Sequence, residues 1–230
     1  MSQSIKQNLV YAYKICSFLG LDDHTYTHLS ARAEDGESFY IYPFGLRFNE
    51  VSEDRLLRVT LQGKVIEGPQ DNYNPTGYSI HSAIYQSRPD IHSVFHLHTH
   101  HMVSVSVLEE GLLPLSQWAL HFYQKITYVD YSSLILHRKQ SSILIENFKS
   151  NYVMFLRHHG GLICGRTLYE AMFYTYHLEQ ACKVQNMILS THKSYILLNK
   201  ETCLQASKDL LAFEDNIGQR DWRAWVRQMT

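Results

Sequence analysis

The chain has 230 residues, with 21 Lys and Arg against 22 Asp and Glu and a formal net charge of −1. That balance argues against a basic nucleic-acid surface or a membrane-surface patch, and no apolar run approaches the roughly 20 residues that span a bilayer. A hydrophobic fraction of 45% is enough to build one core. The first residues lack the apolar region of a signal peptide. Cys16, Cys164, Cys182 and Cys203 are widely spaced, with no C-x-x-C pair. They are expected as buried free thiols in a reducing compartment, so the expected location is cytoplasmic.

In chain order, residues 5–19 carry Leu9, Ala12, Ile15, Cys16 and Leu19 at helical spacing, and Gly20 is a C-terminal stop. Residues 22–33 are polar and His-rich and read as a loop entering a short strand. Ser38 to Tyr42 alternates as a strand after the Asp35-Gly36 turn and ends at Pro43-Phe44-Gly45. Val51-Ser52-Glu53-Asp54 reads as a short helix start. Leu56 to Leu61 and Lys64 to Glu67 flank a Gln62-Gly63 turn and predict a hairpin.

After a turn-rich stretch at 68–77, a helix is expected over about 77–87, ending before Pro89. A strand follows at 91–99, then a helix over 100–108. Trp118 to Gln124 reads as helical, Ile126 to Val129 as a strand and Ser141 to Lys149 as a helix. Tyr152 to Leu156 and Leu162-Ile163-Cys164 are apolar strands. A helix of more than 20 residues starts near Thr167 and Glu170, which have capping-box spacing. The tail is expected to hold a helix from about 203 to 213, and Trp222-Arg223-Ala224-Trp225 is left unassigned. Interleaved strands and helices without an internal repeat predict one α/β domain.

The chemistry concentrates in Phe95-His96-Leu97-His98-Thr99-His100-His101. On a strand, alternation places His96, His98 and His100 on one face. Two imidazoles on one face chelate a metal through neutral nitrogens, and a third ligand must come from elsewhere. His158-His159-Gly160-Gly161, at the end of an apolar strand, offers that ligand from either histidine. Three histidines and one open position form the arrangement of catalytic zinc.

Several segments together resemble the class II aldolase/adducin domain, the fold of L-fuculose-phosphate aldolase, L-ribulose-phosphate 4-epimerase and the adducin head. They are Thr27-His28-Leu29-Ser30-Ala31-Arg32, Tyr42-Pro43-Phe44-Gly45-Leu46-Arg47-Phe48, Gly77-Tyr78-Ser79-Ile80-His81, Arg88-Pro89-Asp90, His96-x-His98, Arg157-His158-His159-Gly160 and Gly165-Arg166-Thr167-x-x-Glu170-Ala171. The resemblance implies a three-layer α/β/α fold with a central, mainly antiparallel sheet over residues 1–190. Residues 191–230 are expected as a C-terminal helical extension packed on the same domain. It implies Zn2+, or another divalent metal, on His96, His98 and His159, acting as a Lewis acid on the ene-diolate of a cleaved ketose phosphate. It also implies a homotetramer with sites between subunits and a small-molecule carbonyl substrate.

Two departures stand out. The family's aldolases carry a catalytic Glu just ahead of the helix before the His strand, and alignment on His81 puts Gly77 there. The positions matching the family's phosphate-binding residues are Thr27-His28, Phe44-Gly45 and Pro75-Thr76, of which Gly45 and Thr76 retain a possible role. Both departures resemble the adducin branch. The expected function is a zinc-dependent lyase cleaving a C–C bond of a hydroxy or oxo carbonyl compound. The alternatives are a metal-dependent decarboxylase of the same fold and a non-catalytic, adducin-like interaction module. No catalytic base is assigned. His28, Gly45, Thr76, His101, Trp118 and Tyr123 are candidate substrate contacts. His100 and His121 are further pocket candidates, and His81 is expected to be structural.

Overall fold

The computed structural model describes residues 4–69, 72–131, 145–148 and 150–229. The first half runs α1 (Ile5–Phe18), β1 (His28–Arg32), β2 (Ser38–Ile41), β3 (Leu57–Thr60), β4 (Val65–Glu67), α2 (Pro75–Ser87) and β5 (Ser93–Leu97). The second half runs α3 (His100–Ser106), α4 (Gln117–Leu120), β6 (Ile126–Val129), β7 (Val153–Leu156), β8 (Gly160–Gly165), α5 (Leu168–Ser190), α6 (Lys200–Ala212) and α7 (Gln219–Met229). The eight strands form one sheet in the order β4-β3-β2-β1-β5-β8-β7-β6. The β6–β7 pair is parallel, and the others are antiparallel.

Strands β1, β2, β5, β7 and β8 are buried at every position, as strands covered on both faces must be. Alternation along β1 builds the layers. His28 and Ser30 point toward α2, where they meet His81 and Tyr85. Ala31 on the other face lies beside Ile5 and Asn8 of α1. The long α5 packs on β5 and β8 and against α1. The result is the expected three-layer α/β/α architecture around a mainly antiparallel sheet.

Arg32 joins the layers. Its buried guanidinium donates to the carbonyls of Ile91 at 2.9 Å, Gly36 at 2.9 Å, Tyr85 at 2.8 Å and Arg88 at 3.0 Å. The Tyr85 and Arg88 carbonyls belong to the C-terminal end of α2, where helix carbonyls lack intrahelical partners and cations are favoured. Thr167 caps α5 by accepting from Glu170 N at 3.1 Å. The Glu170 carboxylate reaches one residue further back than a capping box requires, accepting from Arg166 N at 2.6 Å.

Several expected elements are corrected. The histidine strand stops at Leu97 because Thr99 accepts from Met102 N at 3.3 Å and caps α3 at once. His100 therefore leaves the strand alternation and opens a helix instead of sharing a face with His96. The segment 118–124 is helical over Gln117–Leu120 and turns at Gln124, whose φ is +57°. The short helix start at Val51 becomes a single 3-10 turn at Glu53–Arg55. The tail carries two helices: α6 packs on α4, and α7 packs on α1 and α5 with Trp222 buried. The expected helix Ser141–Lys149 lies outside the described residues except for 145–148, which are helical. All four cysteines are buried and free. No helix among the described residues is long and apolar enough to cross a membrane.

Replacing Arg32 by Met removes the side-chain donor from four carbonyl oxygens, of which Arg88 O keeps Ile91 N at 3.1 Å. Urea unfolding should then show a loss of about 2–4 kcal/mol, since an unsatisfied buried group costs about 1–3 kcal/mol. A loss below about 0.5 kcal/mol would show that these bonds do not hold the layers together.

Candidate metal centre

His96 lies near the C-terminal end of β5, directly opposite His28 of β1. His98 follows just past that strand end. His159 enters from the β7–β8 turn, two strands away in sequence but adjacent in the sheet. The turn is tight: His159 N donates to Leu156 O at 3.0 Å, and His158 adopts a left-handed φ of +59°. Such a conformation costs a non-glycine residue roughly 1–2 kcal/mol. Gly160 is required by close approach, because a Cβ there would lie 2.3 Å from the Leu97 carbonyl oxygen.

The three rings converge through Nε2. His96 Nε2 is 2.9 Å from His98 Nε2 and 3.3 Å from His159 Nε2. The opposite nitrogens assign the tautomers. His96 Nδ1 donates to Gly161 O at 3.1 Å, and His98 Nδ1 donates to Asp23 Oδ2 at 3.0 Å. With both rings in the neutral form that binds metal, the two Nε2 atoms face each other as bare lone pairs at 2.9 Å. Two lone pairs at that distance repel unless a cation lies between them. An ion about 2.0–2.1 Å from each nitrogen in tetrahedral geometry sets the nitrogens about 3.3 Å apart, so the donor set fits a divalent metal. Asp23 and Gly161 are the outer partners that orient such ligands.

Burial holds His96 and His159 uncharged. It pushes His96 well below its ordinary value, helped by His98, His28 and His159. His159 is lowered to about 4 by burial and by His98. His28 is lowered to about 3 by burial, then by His98 and His159. Neutral imidazole is the form that binds metal.

His28 lies against this centre, with its ring centroid 5.0 Å from that of His96. Its Nδ1 is 2.8 Å from His81 Nε2, and His81 Nδ1 is 2.5 Å from Ser30 Oγ, which is 2.7 Å from the Tyr85 hydroxyl. His81 is therefore a buried partner of His28 as well as a packing residue. His101 is half-buried, 3.2 Å from Asn186 Nδ2. It lines a cavity of about 290 Å³ with Asp23, His98, Glu179 and Lys183. Gly45 is a turn residue with φ +105°, and Thr76 donates to the α2 N-cap Asn74 at 2.7 Å. Trp118 is partly exposed on α4. Tyr123 lines a separate cavity with Leu204 and Ser207. His121 packs with Phe173 and His177, at centroid distances of 5.3 and 4.8 Å. The motifs did not point to Asp23, which precedes its partner His98 by 75 residues. Its only signal was a carboxylate in a His-rich loop.

The family model described as the class II aldolase and adducin N-terminal domain matches residues 7–186. The chain belongs to that family. Among solved structures it is similar to an aldolase II superfamily protein from Pseudomonas syringae, at 32% identity and TM-score 0.92, with 97% of this chain and 91% of that one covered. It is also similar to L-fuculose 1-phosphate aldolase from Glaciozyma antarctica, at 27% identity and TM-score 0.81 over 90% of this chain and 81% of that one. Alpha-adducin of Rattus norvegicus is 32% identical over 191 residues, which are 81% of this chain and 26% of adducin. The family thus contains both enzymes and a protein of which this domain is about a quarter.

Two outcomes follow from the centre. Asp23→Asn should weaken zinc binding about 10- to 100-fold by calorimetry, and unchanged affinity would show that Asp23 does not orient His98. Metal-free protein should also lose stability in acid. The unfolded chain binds more protons than the folded one between the ordinary histidine value and the lowered ones. Stability is therefore complete above about pH 6.5 and falls as pH drops toward about 4, the His159 value. A urea midpoint equal at pH 7 and pH 5 would contradict this.

Proposed function

We propose that the chain is a zinc-dependent lyase that breaks a C–C bond in a small hydroxy or oxo carbonyl compound. One observation carries the proposal: three Nε2 atoms converge, and the opposite nitrogens of His96 and His98 are engaged by Gly161 and Asp23. A packing role alone would not require lone pairs aimed at each other. His96, His98 and His159 would hold the ion, which when bound supplies a Lewis acid that polarises a carbonyl oxygen.

The chain's own residues narrow the substrate. Three imidazoles bring no negative charge, and Gly77 brings no carboxylate. A centre of that charge favours an anionic, chelating ligand, and a 2-oxo or 2-hydroxy carboxylate offers two oxygens in suitable positions. Where such an acid also carries a carboxylate β to a carbonyl, loss of CO2 from that position would pass the C–C electron pair into the carbonyl as an enolate, and this first step needs no group to abstract a proton. Decarboxylation is therefore the form of lyase chemistry that best suits this site. Assembly as a homotetramer is part of the proposal and is measured by light scattering.

A second reading is an adducin-like interaction module, favoured by the likeness to alpha-adducin and by glycine at position 77. Purified protein should contain about one zinc per chain. It should turn over at least one member of a panel of aldol and 2-oxo or 2-hydroxy acid substrates, and lose that turnover with chelator. Stoichiometric zinc without turnover across the panel would favour the module, and protein that takes up no zinc would sink the lyase.

A further inference from the structure

Helix α6 packs on α4 and covers the turn that follows it. The face it presents carries Leu204, Ser207, Lys208 and Leu211, at the i, i+3, i+4 and i+7 spacing of a core-facing stripe. Leucine suits such a stripe, and serine and lysine interrupt it. These four residues form one wall of a cavity of about 450 Å³, with Tyr123 and Lys125 on the other side.

The serine carries the first signal of a ligand. Ser207 is only 3% exposed, yet its hydroxyl has no hydrogen-bond partner among the described residues. Buried polar groups are almost always paired, so an orphaned hydroxyl in a cavity wall marks a missing partner.

The charge around it gives the sign of that partner. Lys208 stands on α6 and Lys125 on the facing turn, and no Asp or Glu lines the cavity. Lys125 is held in place by its backbone. Its N–H donates to Phe122 O at 2.9 Å, and Gln124 before it takes a φ of +57°, which is uncommon for a residue other than glycine.

A second cavity of about 230 Å³ abuts the first across Lys125 and Leu211, which line both. Phe122, Val153 and Tyr174 give it apolar walls, and it too has no carboxylate in its lining. A cationic mouth with a hydroxyl donor therefore opens beside an apolar recess. Ligand sites commonly combine apolar walls with a few placed polar groups. An anion with an apolar body satisfies both parts, because a carboxylate accepts charge-assisted hydrogen bonds from ammonium and hydroxyl donors.

We infer that the crevice between α6 and the turn after α4 binds a small monocarboxylate with an alkyl or aryl body, its carboxylate held by Lys125, Lys208 and the Ser207 hydroxyl and its body lying along Leu204 and Leu211. The crevice shares no lining residue with the three histidines or with the cavity beside His98. One of its walls lies beyond residue 186, past the matched family domain. It is a second site, independent of the metal centre.

The test uses the full-length chain, with and without zinc, and 3-phenylpropionate as probe. Calorimetry should show one acid bound per chain with a Kd of about 1 mM or tighter, equal within about twofold in the two zinc states. Lys125→Gln and Lys208→Gln should each weaken binding about five- to tenfold, and Ser207→Ala about threefold. The neutral 3-phenylpropanol should bind at least about fivefold more weakly than the acid. Ser207→Ala should melt at or above wild type, since it removes a buried hydroxyl that has no partner in the fold. Loss of binding on removal of zinc would overturn the inference by placing the acid on the metal. Equal affinity for acid and alcohol, or lysine variants within twofold of wild type, would overturn it by removing the anion from the site. A Ser207→Ala protein that melts several degrees below wild type would also overturn it, because the hydroxyl would then be held within the fold.

Discussion

The antiparallel pairing of β1 with β5 is the constraint on which the site depends. It sets His28 opposite His96, Leu29 opposite Phe95 and Ser30 opposite Val94. Strand side chains alternate with a period of two, so a slip of one residue would turn His96 into the opposite layer and bring Phe95 to the site. The register is enforced from both sides. Apolar Leu29, Ala31, Phe95 and Leu97 occupy the core, while the polar face is satisfied by α2 through His81 and Tyr85. Arg32 ties the end of β1 to the end of α2, so the strand and the helix that flank the site move as one body.

On this frame, the second requirement is delivery of His159. It comes from a turn that a sheet ladder does not position by itself. The left-handed His158 and the close packing of Gly160 on the Leu97 carbonyl fix the turn. Each costs something in isolation, and together they place a third imidazole against the β5 pair. Non-glycine residues with positive φ recur at this centre: His24 follows Asp23, Thr27 precedes His28 and His158 precedes His159. Local strain is concentrated where side chains must be aimed.

Much of this was legible in the sequence because it follows from period and punctuation. The alternating histidines, the His-His-Gly-Gly turn and the long capped helix pointed to the layers and to His96, His98 and one of His158 or His159, and the family resemblance chose His159. The placement of His100 was not legible. Alternation extends a strand for as long as the residues allow, and only the Thr99 cap reveals that a helix begins three residues after Leu97. Asp23 and the His28–His81 pair were hidden for a different reason. They depend on contacts across 75 and 53 positions of chain, which local spacing does not encode. Gly77 was visible as a missing carboxylate, but its complement, the His28 ring filling the same space, appears only in three dimensions. Family membership fixes the scaffold, while function is decided by such substitutions at the site.

The central claim is that His96, His98 and His159 form a cation site whose geometry the fold imposes. Crystals of the full chain soaked in zinc, with diffraction data collected on either side of the zinc absorption edge, test it most directly. The account predicts one strong anomalous peak per chain, about 2.0–2.1 Å from all three Nε2 atoms. It also predicts the Asp23 and Gly161 contacts unchanged. No peak there, or a peak held by other residues while these three rings swing apart, would contradict it.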